Sequence, residues 1–249
     1  MEYNKFVDLS KSYLFCQLQK NNQYKLEGNH PRQLPFLTIS REAGTGESEI
    51  TNLLLEDLTG KQEQNECPWT LYDKDLIKRV NEDYNAKGIH GLLPEEKFSD
   101  IQTMFEELFG LHPTKREMAH NISKSILKLA DMGNAIIVGR GAFFITRHHS
   151  NGLHIRLIST FQKRIKHMVE DYSLTLKQAE EYLIKEDHRR YDYVKKLFGV
   201  DLNDPHYYDI VINTDKLDPL EITAIISNQV EILKEKLAMI YHMGEITAV

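Results

Sequence analysis

Cysteine is nearly absent: Cys16 and Cys67 are the only two in 249 residues, and they form no C-x-x-C pattern. That scarcity argues against a disulfide framework or a structural zinc site and suits a reducing cytoplasm. Long apolar runs are missing too, since none approaches the roughly 18 residues of a membrane-spanning helix. The start, Met1-Glu2-Tyr3-Asn4-Lys5, has neither the basic end nor the apolar stretch of a signal peptide. Positive charge is in deficit, 31 Lys+Arg against 37 Asp+Glu for a net charge of −6, so the surface as a whole does not attract the backbone of DNA or RNA. Internal repeats and low-complexity segments are lacking as well. The expectation is a cytoplasmic protein without membrane or nucleic-acid partners, in which any phosphate site is local. The oligomeric state stays open.

What is present suffices for one sizeable α/β domain, with 41% hydrophobic residues in 29.0 kDa. The organising stretch is Phe36-Leu37-Thr38-Ile39-Ser40-Arg41, an apolar strand that runs into Glu42-Ala43-Gly44-Thr45-Gly46-Glu47-Ser48. A helix opens directly afterwards, with Ile50, Leu53, Leu54 and Leu58 on one face. Its unpaired N–H groups point back at the turn, which suits an anion. Gly44 and Gly46 allow positive φ and a close approach of backbone to phosphate oxygens. The match to the phosphate loop G-x-x-x-x-G-K-[ST] is partial: Gly46 and Ser48 fit, Arg41 replaces the first glycine, and Glu47 replaces the lysine. A carboxylate there has the wrong sign, and a unit-charge pair about 4 Å apart interacts by roughly 4 kcal/mol at an effective dielectric near 20. Another cation is required, and Arg41 is the candidate. A plain strand-turn-helix connection without ligand is the alternative.

Residues 3–20 read as a short helix with Phe6, Leu9, Tyr13 and Leu14 on one side, docking on the main domain; residues 21–35 read as linker. Trp69-Thr70-Leu71-Tyr72 is a second strand, and Asp73 at its carboxyl end caps a helix, touches a ligand, or both. Residues 85–115 break the periodic pattern and read as a mainly helical insert. A further helix carries Met118, Ile122, Ile126 and Leu129. Ala135-Ile136-Ile137-Val138 follows as a buried parallel strand that ends at Gly139-Arg140-Gly141. Arg140 is placed there to fork onto a phosphate or carboxylate, with a surface turn as the alternative. His148, His149 and His154 lack metal-site spacing and read as solvated loop. Leu153 to Ile158 is the fourth strand, and the next helix shows a basic face with Lys163, Arg164 and Lys166, expected to be solvated. A helix from about Thr175 runs into Glu186-Asp187-His188-Arg189-Arg190, where arginines on a movable segment, about 185–205, could close over a transferring phosphoryl group. Asp204-Pro205 begins a turn before the fifth strand, Ile210-Val211-Ile212-Asn213, and a closing helix. Strands alternating with helices imply an α/β fold with a parallel five-stranded sheet flanked by helices.

Thr38-Ile39-Ser40-Arg41 with Gly44-Thr45-Gly46, Tyr72-Asp73-Lys74, Gly139-Arg140-Gly141, Asp187-x-x-Arg190-x-x-Tyr193 and Asp204-Pro205 before Tyr208-Asp209-Ile210-Val211-Ile212-Asn213-Thr214 occur in that order. Together they resemble the cytidylate kinase-like family, a branch of the P-loop nucleoside monophosphate kinases, over residues 36 to about 230. The resemblance implies a mobile lid and transfer of the γ-phosphoryl of ATP to CMP or dCMP with magnesium, so small nucleotides are the implied partners. By position it assigns Gly44, Thr45, Gly46, Glu47 and Ser48 to the donor phosphates, with Ser48 as the magnesium-side hydroxyl. Asp73 and Arg140 fall to the acceptor, and Arg164 and Arg190 to the transferring group, with Asp187 added as a substrate-binding candidate and Arg41 as a catalytic one. Glu47 keeps two further readings open: a catalytically silent nucleotide-binding or regulatory module, and a kinase of another small metabolite.

Overall fold

The computed structural model describes residues 9–10, 12–17, 19–20, 33–63, 66–73 and 115–247. In chain order its elements are β1 (Phe36–Arg41), α1 (Glu47–Gly60), β2 (Thr70–Tyr72), α2 (Lys115–Met132), β3 (Ala135–Val138) and the short α3 (Ala142–Ile145). There follow β4 (Gly152–Ile158), α4 (Phe161–Tyr172), α5 (Leu176–Phe198), a 3-10 turn (Pro205–Tyr207), β5 (Ile210–Asn213) and α6 (Pro219–Thr247). The strands form one sheet in the order β2-β3-β1-β4-β5, and every pairing is parallel, as the sequence leads one to expect. The expected insert and the helix that Asp73 would cap lie outside the described residues.

Both faces of the sheet are covered, and its central strands are almost wholly buried. Successive side chains alternate between faces. Leu37, Ile39, Ile136, Val138, Ile155 and Leu157 therefore pack with Ile50, Leu54 and Leu58 of α1 and Ile222, Ile226 and Val230 of α6. Phe36, Ala135 and Ile137 face the other way, onto Ile126, Leu129 and Ala130 of α2 and onto Tyr13 and Leu14. Helical residues between 9 and 20 thus dock on the main domain, as expected of that apolar stripe. Tyr13 Oη donates to the Gly133 carbonyl at 2.6 Å, and Ser10 Oγ lies 3.1 Å from Thr70 Oγ1.

That docking overturns the reading of the cysteines. Cys16 and Cys67, 51 residues apart, form a disulfide with Cα atoms 5.5 Å apart. The pairing is invisible in the sequence because only the packed N-terminal helix brings the two together. No described helix is long and apolar enough to cross a membrane.

Of the three histidines only His148 is an exposed turn residue, as expected. His154 sits within β4, is buried, and places Nδ1 2.8 Å from Thr38 Oγ1, while His149 Nε2 lies 3.2 Å from Asp131 Oδ1. Burial holds the His154 pKa below its ordinary value, helped by nearby His149 and opposed by Asp209. A histidine depressed in the folded state binds fewer protons than in the unfolded chain. The stability linked to it is therefore present above the unfolded pKa near 6.5 and is lost as pH falls below it. Thermal melts between pH 7.5 and 5 are expected to show the melting temperature dropping, and the drop to flatten in His154→Gln; equal slopes in both proteins would count against this assignment.

Candidate functional site

The strand order reverses beside β1, so β1, β3 and β4 end around a single crevice, the place where open parallel sheets bind ligands. From β1 the chain enters the glycine loop. Gly44 and Gly46 have φ of 76° and 74°, in the left-handed region. A Cβ at Gly44 would sit 2.9 Å from Leu183 Cδ2 and 3.2 Å from the Arg164 carbonyl oxygen, so the loop can lie against α4 and α5 only with glycine there. Gly46 is the N-cap of α1 and offers no side chain to its amides, which leaves that helix end available to an anion. Ser48 lies in the first turn of α1.

Arg41 and Glu47, the two departures from the phosphate-loop pattern, are paired with each other. Arg41 Nε donates to Glu47 Oε2 at 3.0 Å, and both side chains are only 16% exposed. Arg41 Nη1 lies where a Cβ at Gly139 would be 2.5 Å away, so the glycine after β3 provides the guanidinium's seat. Arg190 Nη1 of α5 donates to the Arg41 carbonyl oxygen at 3.2 Å. Burial and, next, the charge of Arg41 push the Arg190 pKa down to about 10, with Glu47, Asp187 and Glu186 opposing. Glu47 thus serves as counter-charge to two arginines that would otherwise repel each other across the head of the loop.

Arg164 departs from the expected solvated basic face. It is 7% exposed and ties the loop to α5: Nη1 donates to the Ala43 carbonyl oxygen at 3.1 Å and to Asp187 Oδ2, and Nε lies 3.7 Å from Glu42 Oε2. Asp187 in turn accepts from the Ala43 amide at 2.7 Å. Asp187 and Arg190, three residues apart on α5, form no ion pair, and Arg189 pairs with Glu186. Arg164 and Asp187 therefore latch α5 onto the glycine loop, with Asp187's oxygens turned to the loop and to Arg164.

After β3, Gly139, Arg140 and Gly141 have φ of 77°, 57° and 70°. Arginine at positive φ is strained, and such strain clusters at functional sites. A Cβ at Gly141 would come within 2.4 Å of Phe198 Cε2, so no side chain fits there. The turn aims Arg140 into a small cavity of about 70 Å³ bordered by Ser40, Arg41, Phe143, Arg190 and Tyr193. Arg140 Nε is buried without a hydrogen-bond partner in the protein.

Two larger openings adjoin it. The glycine-loop cleft, about 880 Å³, is bordered by Gly44 to Ser48 and also by Asp73 and Arg190. Asp73 thus lies with the loop and does not border the Arg140 cavity. A third opening of about 380 Å³ lies under α5, beside Arg156, Asp187 and Asn203. Arg41 and Arg190 border all three. The sequence marks neither Arg156 nor Phe143 for the site, and Ser40 and Tyr193 appear in it only as motif positions without an assigned role. For Arg156 and Ser40 the available signal was matching parity, since polar residues alternate in step along β1 and β4. Among the described residues there is no cluster of three or more His, Cys, Asp or Glu that could hold a metal alone.

The sequence profile of the cytidylate kinase-like family matches residues 36–216. A cytidylate kinase from Pyrococcus horikoshii is 25% identical over 161 residues, covering 63% of this chain and 81% of that protein. One from Thermoplasma acidophilum is 27% identical over 126 residues, covering 50% and 66%. Among solved structures, an uncharacterized protein from Eubacterium ventriosum superposes with a TM-score of 0.58 at 22% identity, over 80% of this chain and 98% of that one. That likeness speaks to the fold.

Proposed function

The chain belongs to the cytidylate kinase-like family, and from that premise we propose that it moves the γ-phosphoryl group of ATP onto a pyrimidine nucleoside monophosphate, CMP or dCMP. The observation that supports this reading best is the position of Arg41 and Arg190 at the junction of all three openings. A phosphoryl group passing from donor to acceptor crosses such a junction, and its transfer is catalysed mainly by alignment and by neutralising charge on the equatorial oxygens. In this reading the amides of Gly44 to Gly46 and the start of α1 hold the donor phosphates. Ser48 and Asp73, which border one cleft, fit a magnesium ion, which when bound neutralises the phosphates. Arg140, with its orphaned Nε, takes the acceptor phosphate, and the small cavity around it suits a phosphate-sized group. Arg164 and Asp187 act as positioning residues through the latch, and the lid is the segment of about 185–205.

One observation favours the silent-module reading. The glycine-loop cleft is bordered by Glu42, Glu47, Glu49, Glu56, Asp73 and Asp171, an acidic setting for a triphosphate. A single experiment addresses both readings: a panel of nucleoside monophosphates with ATP, with magnesium and then with a chelator. The kinase reading expects turnover with CMP or dCMP and loss of ATP binding on chelation. Well-folded protein that turns over none of them and binds ATP equally well without magnesium would replace it with the silent module.

A further inference from the structure

Arg156 is an arginine that the phosphoryl-transfer reading leaves unused. It lies on β4, opposite Ser40 in the β1 register, and is 4% exposed. Its guanidinium contacts are all neutral: Nη1 donates to Ser40 Oγ at 3.1 Å, Nη2 donates to Asn203 Oδ1 at 2.6 Å, and Cζ stands 5.7 Å from the Tyr208 ring centre. Among the described residues it has no carboxylate within ion-pair distance. The two acids that border the same opening, Glu42 and Asp187, are turned to Arg164 and to main-chain amides. A buried cation without a partner is costly, and proteins meet that cost with an ion pair, a metal or a bound ligand. Here the cation borders an opening of about 380 Å³ that also holds Arg41 and Arg190. The arrangement around it is fixed. Tyr208 Oη donates to the Leu202 carbonyl oxygen at 2.8 Å and lies 3.2 Å from Ser40 Oγ. Ser40, Asn203 and Tyr208 thereby hold the guanidinium plane in place from β1 and from the loop after α5.

We propose that the opening between β4 and α5 is an oxyanion subsite, in which Arg156 is the buried anchor and Arg190 the second arm, and that it takes a phosphate group. The phosphate comes either from a nucleoside monophosphate or from free inorganic phosphate. Planar guanidinium groups match the tetrahedral oxyanion geometrically, and the ligand supplies the missing counter-charge. The inference rests on the kinase reading only for the identity of a nucleotide source. The binding test needs no turnover, so it can succeed or fail independently.

The experiment is titration of inorganic phosphate into the whole protein, followed by calorimetry and by melting temperature. The wild type is expected to bind at millimolar phosphate and to melt higher as phosphate is added. Arg156→Met keeps much of the side chain's bulk without charge, and is expected to weaken phosphate binding about tenfold or more and to abolish the melting shift. Should that variant fail to fold, Asn203→Asp provides the same test, because it places a carboxylate where Asn203 Oδ1 now meets Arg156. An internal counter-ion is expected to displace the phosphate while leaving the phosphate-free protein at least as stable. Competition by CMP for the bound phosphate moves the acceptor phosphate from the Arg140 cavity to this opening, and uptake that persists with CMP present assigns the opening to a free anion; both support the subsite. Phosphate binding by Asn203→Asp as tight as by the wild type, or no uptake by the wild type, overturns it.

Discussion

Arg190→Ala is expected to lower kcat about a thousandfold while the KM for ATP changes only a few-fold, in line with the loss of an arginine that acts mainly in the transition state. Arg190 stands where the three openings meet, and its one hydrogen bond to the glycine loop is to the Arg41 carbonyl oxygen. A guanidinium whose pKa is pushed down to about 10, by burial first and by Arg41 next, is a desolvated cation held close to another. An arriving phosphoryl group relieves that repulsion, and more so as charge accumulates on its equatorial oxygens. Lysine is a poor replacement, because a point charge does not reproduce the planar fork. Steady-state kinetics with the acceptor identified by the panel, beside a thermal melt of the variant, is the measurement. An Arg190→Ala protein that folds and keeps wild-type kcat would remove Arg190 from the reaction.

The second large effect runs against the usual repair of a degenerate phosphate loop. Glu47→Lys restores the lysine of the standard pattern, yet it is expected to weaken binding of ATP with magnesium by about two to three orders of magnitude. The reason is the partner. Glu47 Oε2 lies 3.0 Å from Arg41 Nε, with both side chains 16% exposed. Loss of the attraction near 4 Å alone forfeits roughly 4 kcal/mol at an effective dielectric near 20, and the lysine adds repulsion. Arg41 would be driven from its seat against Gly139. Glu47→Gln, which removes charge without adding repulsion, is expected to bind ATP with only modest loss. Calorimetry on the three proteins decides the matter: tighter binding and faster turnover by the lysine variant would support the silent-module reading, in which Glu47 is a disabling substitution.

Much of this architecture can be read before any coordinates. Phe36–Arg41 leads into a glycine-spaced turn, Ala135–Val138 is an apolar run that ends at Gly139, and Gly44 and Gly46 do adopt the positive φ that a phosphate turn requires. The need for a cation to offset Glu47 also follows from charge alone, and Arg41 is in contact with it. What escapes is the burial of polar residues whose partners are distant in sequence. His154 and Arg156 alternate with apolar residues along β4, the usual mark of a strand with one wet face. They are buried because Thr38 and Ser40 stand opposite them on β1 and answer their polarity, a pairing 116 residues long. Arg164 reads as one of three cations on a helix surface, and only the return of the chain through α5 brings Asp187 to it. The cysteines conceal their bond for the same reason.

Helix α5 links the glycine loop to the Arg140 cavity. It is a single 23-residue rod, about 34 Å long at 1.5 Å per residue. Near one end Ala179 and Leu183 pack beside Ala43 of the glycine loop, and toward the other Tyr193 and Val194 wall the Arg140 cavity. Asp187 pins it between them. Such a rod is a seesaw with its fulcrum at an aspartate: a tilt that widens the room at one end narrows it at the other. In the proposed kinase reading, exchange of one nucleotide is then mechanically tied to the grip on its companion.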